Sequence, residues 1–271
     1  QVAFLGSIPT ESLSGGWAEI SKNYSLPYRD IAITLGMGWL AFMVVCDAIV
    51  SPSGTGNIYM NATPRVIYGW AKAGTFFKTF THIDKESGIP RPALWLTFGL
   101  SIFWTLPFPS WEQLISVVSA ALVLSYAIAP VTAAGLRRNA PDMPRPFRVR
   151  GFAVLGPLSF MISALIVFWS GWGTLSWLLG LQIVMFVVYV SCKSKVPVQH
   201  VSLAQQIKSS LWLIAFYALI MLFSWLGSFG GSGIIGHPWD TIVVALMSLG
   251  IYYWGAYTCL PRANFNGDEE E

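Results

Sequence analysis

The chain has 271 residues, of which 54% are hydrophobic and only 11% are charged, whereas a soluble globular domain carries about 25% charged residues. The mean hydropathy is +0.57, which excludes an ordinary soluble domain. The net charge of +3 is too small to indicate a protein that binds nucleic acid. The 13 tryptophans, 17 phenylalanines and 10 tyrosines are typical of a membrane protein, because amphipathic rings collect at the two membrane interfaces.

Seven apolar stretches predict transmembrane helices and therefore an all-α polytopic membrane protein, because each approaches the roughly 20 residues that cross a hydrocarbon layer of about 30 Å. The predicted spans are 37–60, 93–108, 113–136, 152–170, 174–192, 210–228 and 240–260. Residues 1–39 are interpreted as the end of a preceding helix followed by an external loop. Because the chain opens in mid-apolar sequence, we expect it to be a piece of a longer protein.

Lysine and arginine residues fall on alternate loops, and this pattern predicts the orientation of the chain. Fourteen of the sixteen basic residues lie in the loops 61–92, 137–151 and 193–209 and in the tail 261–271. We therefore expect these loops and the C-terminus to be cytoplasmic. Lys22 and Arg29 are the two exceptions, and they lie in the polar segment predicted to be external. The acidic tail is interpreted as solvated.

The first predicted span contains the segment Ser51-Pro52-Ser53-Gly54-Thr55-Gly56-Asn57. A proline, two glycines and four small polar residues form a poor lipid-facing helix, because unpaired backbone groups are costly in hydrocarbon. The segment therefore predicts a broken helix that is buried in protein or faces a water-filled cavity. Such a break is where a membrane protein handles a polar ligand or an ion.

Seven spans with an external start also fit a receptor or sensor that binds a small molecule without transporting it. A retinal protein of this kind requires a lysine in its last span, and residues 240–260 contain none. A scaffold that retains a transporter fold without transporting is a further alternative. The chain carries no Ser-His-Asp order, no glycine-rich phosphate loop and no paired intramembrane carboxylates, so we do not expect an enzyme.

Two loop motifs carry a resemblance to a known family. Residues 64–77 read PRVIYGWAKAGTFF and are followed by IDKESGIPRPA at 83–93, while residues 136–151 read LRRNAPDMPRPFRVRG. These motifs resemble the loops after the eighth and tenth helices of amino acid permeases in the amino acid–polyamine–organocation (APC) superfamily. The resemblance covers residues 1 to about 192. The chain departs from the usual pattern at Ala73 and Arg150, both in loops.

The resemblance implies part of a leucine-transporter-like inverted-repeat fold, in which two five-helix repeats surround a midplane site. Residues 40–136 then contain helices 8–10 of the second repeat, with the loop 61–92 between two of them. Residues 137–192 contain a basic loop and the peripheral helices 11 and 12, and residues 193–260 contain a loop and two additional helices. The chain would be the C-terminal half, helices 8–14, of a fourteen-helix permease.

The resemblance also implies a function, which is secondary active transport of an amino acid by proton- or cation-coupled symport. The expected location is the cell (inner) membrane, and the expected partners are the amino acid, the lipid bilayer and the missing N-terminal half, helices 1–7. No cofactor is expected apart from a coupling H⁺ or Na⁺. The family's main substrate contacts lie in the missing helices, so the sequence does not specify the amino acid and the chain alone is not expected to transport.

Four residues of the first span are candidates for ion or proton coupling. The resemblance places Ser51, Ser53 and Thr55 where sodium-coupled relatives hold the ion, and hydroxyl oxygens suit a hard monovalent cation. Alternatively, these small residues allow close helix packing, and their hydroxyls bond to the preceding turn. Asp47 is a carboxylate inside a span, which is typical of proton coupling. A hydrated vestibule position would explain it equally well.

Four further residues are candidates for the substrate pathway. The resemblance places Tyr59 where an aromatic side chain of the eighth helix contacts substrate, and aromatic faces attract ammonium groups within about 6 Å. Ser119, Ser125 and Tyr126 lie on the tenth helix, which lines the pathway in the family. Ser119 and Tyr126 are seven residues apart and can share a helix face. The alternatives are a packed tyrosine and interhelical hydrogen bonds from the serines.

The cysteines and histidines do not form a metal-binding pattern. The cysteines are Cys46, Cys192 and Cys259. Each lies in or at the end of an apolar run, so we predict buried thiols without disulfides. The histidines are His82, His200 and His237. All three lie in predicted loops without acidic or cysteine partners at metal-ligand spacing, which predicts surface residues and no metal site.

Overall fold

The computed structural model describes residues 6–8, 24, 26–106, 111–141, 144–192 and 203–259. Its helices are α1 (Pro27–Thr34), α2 (Gly38–Lys72), α3 (Arg91–Thr105), α4 (Trp111–Asn139), α5 (Phe152–Trp169), α6 (Gly171–Cys192), α7 (Leu203–Leu226) and α8 (Trp239–Thr258), with a 3-10 turn at Lys78–Thr81. No strand occurs in these described ranges. The predictions for the acidic tail and for Lys22, Lys193, Lys195 and His200 lie outside them.

Six helices, α2 and α4–α8, are long and apolar enough to cross a membrane by length and composition. This confirms the prediction of an all-α polytopic membrane protein. The predicted span 93–108 corresponds to α3, which has 15 residues. Because a helix needs about 20 residues to cross the hydrocarbon layer, α3 is not among the six.

The chain divides into two compact units. The first comprises residues 1–70 and 79–99, and the second comprises residues 71–78 and 100–271. The first unit therefore contains α1 and nearly all of α2, and the second contains α4–α8.

In the first unit, α2 is a single helix of 35 residues with Pro52 and Pro64 inside it. The prediction of a broken helix at Ser51–Asn57 is therefore wrong. Proline removes one backbone donor and glycine weakens a helix, yet membrane helices tolerate both residues. Polar side chains also add bonds along the helix, because Ser53 Oγ donates to the Ile49 carbonyl at 2.7 Å.

A carboxylate organises the loop between α2 and α3. Asp84 accepts hydrogen bonds from the backbone N–H and the hydroxyl of Ser87. Its carboxylate also forms an ion pair with Arg91, whose Nη2 lies 2.9 Å away. Gly88 has a φ of +66°, a left-handed conformation that glycine adopts without strain. The turn closes where the Asp84 N–H donates to the Ile89 carbonyl at 3.0 Å. The loop motif at 83–93 therefore encodes a tight turn.

In the second unit, α4–α8 pack around one apolar core, with α8 in contact with α4, α5 and α7. Phe160, Phe168 and Phe216 are fully buried there, and the rings of Phe160 and Phe216 lie 5.0 Å apart. Such ring pairs stabilise a core by more than the burial of their apolar surface alone provides.

Glycines allow the helices of the second unit to approach closely. A Cβ atom on Gly255 of α8 would lie 2.7 Å from Val131 Cγ1 and 2.8 Å from the Trp212 ring, and a Cβ on Gly156 of α5 would collide with the Tyr252 hydroxyl. Small residues at these points let helix backbones pack closely inside a membrane. Gly156 and Gly255 thus fix how closely α8 packs.

Asp240 ties the start of α8 to the end of α7. It is 1% exposed and accepts hydrogen bonds from the Ser228 hydroxyl at 2.6 Å and from the Thr241 N–H at 2.6 Å. His237 Nδ1 lies 3.7 Å from the same carboxylate. His237 is exposed, as predicted for a surface residue, and the turn before α8 brings its imidazole close to this one carboxylate.

Two of the three cysteines can be compared with the prediction of buried thiols. Cys46 is exposed and Cys259 is partly buried, and both are free thiols. The prediction that Cys46 is buried is wrong, because only 6% of the most apolar window of α2 is buried.

Candidate functional site

Four of the predicted site residues form a row along α2. Asp47, Ser51, Thr55 and Tyr59 are four residues apart, and in a continuous helix residues at this spacing lie on one ridge. The row extends about 18 Å at 1.5 Å per residue. All four side chains are exposed. The continuity of α2 therefore aligns one carboxylate, two hydroxyls and one aromatic ring.

Ser53 lies on a different side of α2 from this row, because two residues correspond to a rotation of about 200°. Its hydroxyl donates to the Ile49 carbonyl at 2.7 Å. Back-bonding of this kind satisfies the hydroxyl proton within the helix. The oxygen retains lone pairs, so Ser53 can still accept a hydrogen bond or coordinate an ion.

Asp47 also lines a cleft of about 210 Å³ between α1 and α2. Tyr28 and Arg29 contribute to the same cleft, and Arg29 Nη1 lies 3.2 Å from the carboxylate of Asp30. The lining thus carries a carboxylate, a guanidinium and a phenol together with apolar side chains. Opposite charges in one small cleft are the chemistry that suits a molecule carrying both an ammonium and a carboxylate group.

The pathway candidates of α4 point away from the core of the second unit. Ser119, Ser125 and Tyr126 are exposed, and Tyr126 is 65% exposed. The buried face of α4 is formed by other residues, among them Ala120 and Leu124. Ser125 Oγ donates to the Leu122 carbonyl at 2.7 Å. These residues belong to the second unit, whereas the row on α2 belongs to the first.

Within the part of the chain that the structure describes, no group of three His, Cys, Asp or Glu side chains could hold a metal ion. The polar groups on α2 and α4 are mostly hydroxyls, which bind by hydrogen bonds or as oxygen ligands of a monovalent cation.

The structure also reveals contacts of the second loop motif that were not predicted. Arg145 donates to the Leu136 and Ala140 carbonyls at 3.1 and 2.6 Å, and thereby caps the C-terminal end of α4. The guanidinium of Arg137 lies 4.0 Å from the ring centroid of Phe152. The sequence feature that could have predicted such contacts is the pair of arginines in the last turn of α4. Basic side chains are favourable there because they can bond the unpaired carbonyls at a helix C-terminus.

Together, the six long apolar helices define a multi-pass membrane protein. The model of the amino acid permease family matches residues 1–223. The match covers most of the chain, and the chain belongs to this family. The family resemblance of the two loop motifs is thereby confirmed.

The chain is similar to curated transporters of Bacillus subtilis (strain 168). It is 56% identical over 270 residues to an aspartate-proton symporter, which covers 99% of this chain and 52% of the relative. It is 32% identical over 256 residues to the glutamate/serine transporter AimA, covering 94% of this chain and 47% of the relative.

A third relative, the branched-chain amino acid permease BcaP of the same organism, is 22% identical over 173 residues, which covers 62% of this chain and 37% of the relative. The chain thus spans about half the length of the curated relatives it matches most extensively. No solved structure matches the chain. The relatives are transporters, and nothing among them favours a receptor or a sensor.

Proposed function

We propose that the protein containing this chain is a proton-coupled symporter of an acidic amino acid, with aspartate as its principal substrate. The observation that carries the proposal is the 56% identity to an aspartate-proton symporter over 270 residues. The 32% identity to a glutamate/serine transporter supports the same substrate class. The missing partner is an N-terminal half of similar length, which would supply the main substrate contacts.

Asp47 is the proposed proton-coupling residue. It is the only carboxylate in α2, and an ionisable residue within a membrane helix is a functional candidate by default. Protonation of Asp47 would remove the negative charge that it contributes to the cleft it shares with Arg29, and would thereby raise the cleft's affinity for an anionic substrate. Ser51 and Thr55 continue the row from Asp47 and offer hydroxyls to the same proton, or to Na⁺ if the coupling ion is sodium.

Tyr59, Ser119, Ser125 and Tyr126 are the proposed pathway residues. Their exposed hydroxyls and rings supply donors and aromatic faces, which suit the carboxylate and ammonium groups of an amino acid. The proposed orientation places the C-terminus in the cytoplasm, because fourteen of the sixteen basic residues then lie on that side.

The test is uptake of radiolabelled aspartate by the full-length protein in proteoliposomes, with a proton gradient, a sodium gradient or neither. We expect accumulation that requires the proton gradient and is competed by unlabelled glutamate more strongly than by leucine. Saturable aspartate binding without accumulation under any gradient would overturn symport. Accumulation of neutral amino acids in preference to aspartate would overturn the substrate assignment.

The row on α2 offers matched variants for the coupling residues. Thr55→Ala removes a hydroxyl from the row, and Ser53→Ala removes one that lies off the row and bonds within the helix. We expect Asp47→Asn to abolish proton-driven accumulation while exchange of internal for external aspartate persists. Thr55→Ala should reduce accumulation more than Ser53→Ala. Equal proton-driven accumulation by the parent and Asp47→Asn would remove Asp47 from the coupling step.

A further inference from the structure

The C-terminal ends of α4 and α8 meet in a set of polar contacts. The guanidinium of Arg138 lies 4.3 Å from the ring centroid of Tyr257, and its Nη1 donates to the Tyr257 carbonyl at 3.3 Å. The Asn139 side chain donates to the Cys259 carbonyl at 3.3 Å. Two consecutive residues of α4 therefore bind the last turn of α8 and the residue that follows it.

These contacts satisfy groups that a helix end leaves free. The last carbonyls of a helix lack partners within the helix, and the negative end of its dipole favours a cation. Arg138 supplies both the donor and the positive charge to α8. It is exposed to solvent, so its contacts are modest in strength and can open and close without unfolding the core.

The two backbones also approach closely beside these contacts. A Cβ atom on Gly135 would collide with Cys259 Sγ, so the thiol packs directly against the backbone of α4. Cys259 is only partly buried. Separation of the two helix ends would therefore expose this thiol to solvent.

The other arginines of the motif serve different contacts. Arg137 stacks on Phe152 at the start of α5, and Arg145 caps α4 itself. Of these three arginines, Arg138 donates a hydrogen bond to α8, whereas Arg137 interacts with Tyr252 of α8 only electrostatically. This distinction matters because the family model ends at residue 223, within α7, so α8 lies beyond the matched region.

We propose that Arg138 is a positioning residue, the centre of a reversible latch formed by Arg138, Asn139, Tyr257 and Cys259. The latch holds the C-terminal end of α4 against α8. It thereby gives α8, which lies outside the residues matched by the family model, a role in positioning the transport pathway. The proposal rests on the proposed function, because α4 carries Ser119, Ser125 and Tyr126. The latch itself has a readout that does not require transport.

That readout is the alkylation rate of Cys259 by N-ethylmaleimide in the full-length protein, in a version where Cys259 is the only cysteine. We expect Arg138→Ala to raise the rate about fivefold or more, as loss of one cation–π contact and one hydrogen bond to a charged donor would allow. Tyr257→Phe retains the ring and should leave the rate unchanged. Arg148→Ala removes an exposed arginine of the same loop and is the matched control.

The latch is overturned if Arg138→Ala and Arg148→Ala alkylate at the same rate. Its functional role is tested by aspartate uptake per folded protein. We expect Arg138→Ala to lower the maximal rate about threefold while KM is unchanged. Arg138→Lys keeps the positive charge but not the planar guanidinium, and should restore only part of the rate. Loss of uptake only in proportion to loss of folded protein would overturn the positioning role. If the parent does not transport aspartate, the proposed function fails while the alkylation result still decides the latch.

Discussion

Asp84 holds the turn before α3 through its charge. Its hydrogen bond from the Ser87 hydroxyl lowers the pKa most, and the Ser87 N–H, Arg91 and His82 add to this effect, while partial desolvation opposes it; the pKa therefore lies below its ordinary 3.8. Because the folded-state pKa is depressed, the stabilisation is complete above the ordinary pKa and is lost as the pH falls through the folded-state value.

Replacement of this carboxylate should open the turn. We expect Asp84→Ala to raise amide hydrogen exchange at Ser87 and Gly88 about threefold or more at neutral pH, because charged acceptors form the stronger hydrogen bonds. Glu86→Ala, an exposed acid in the same turn, should leave exchange unchanged. In the parent, protection corrected for intrinsic rates should decline below pH 3.8. Equal protection in Asp84→Ala and the parent would contradict this role.

Asp240 is the buried carboxylate that joins α7 to α8. An asparagine there replaces one of the two acceptor oxygens by an NH₂ donor, so the backbone N–H of either Ser228 or Thr241 loses its acceptor. We expect Asp240→Asn to destabilise the folded protein by about 1–3 kcal/mol. Ser228→Ala removes one donor and leaves the carboxylate its Thr241 bond, so its effect should be smaller. Thermal melts of the full-length protein in detergent provide the comparison, and equal melting of Asp240→Asn and the parent would refute the expectation.

At the scale of elements, the ends of α5 and α8 follow from local signals. The predicted spans 152–170 and 240–260 correspond to α5 and α8 within two residues at each end. Gly151 has a φ of +69° before α5, and Pro238 precedes α8. An apolar run of about 20 residues bounded by such residues indicates where a helix begins and ends, even though α5 contains Pro157.

The continuity of α2 could not be predicted in the same way. Proline and glycine lower local helix propensity, but whether the helix breaks depends on what satisfies the backbone around them. The sequence could therefore nominate Asp47, Ser51, Thr55 and Tyr59 by type, yet it could not align them on one ridge. The contacts of Arg138 were equally inaccessible, because they join residues 119 positions apart.

Gly255 gives a direct test of the packing between α4, α7 and α8. A methyl group there would lie 2.7 Å from Val131 and 2.8 Å from Trp212, and overpacking of this kind costs about 1–3 kcal/mol. We expect Gly255→Ala to lower the melting temperature of the full-length protein. Gly250→Ala on the same helix meets nothing within 4 Å and should be neutral or slightly stabilising, because alanine favours a helix. A smaller effect at Gly255 than at Gly250 would show that the helices can move apart freely.

At the scale of the whole molecule, the two units differ in how completely they are packed. In the most apolar 18-residue segment of each helix, the buried share is 28% in α4 and 33% in α5, compared with 6% in α2. The chain also spans about half of its curated relatives. We infer that the second unit assembles mainly from its own helices, whereas the polar row of α2 would be covered by the proposed N-terminal half.

Hydrogen exchange can separate these two behaviours. We expect amides of α2 to exchange about tenfold or more slowly when the chain is co-expressed with its N-terminal half than when it is expressed alone, because packing suppresses local opening. Amides of α5, which lies in the core of the second unit, should change little and serve as the internal control. Equal slowing of α2 and α5 would instead mean that both units depend on the N-terminal half for folding. Unchanged exchange in α2 would mean that this helix remains exposed in the assembled transporter, and Asp47, Ser51, Thr55 and Tyr59 would then face lipid or water and not a substrate.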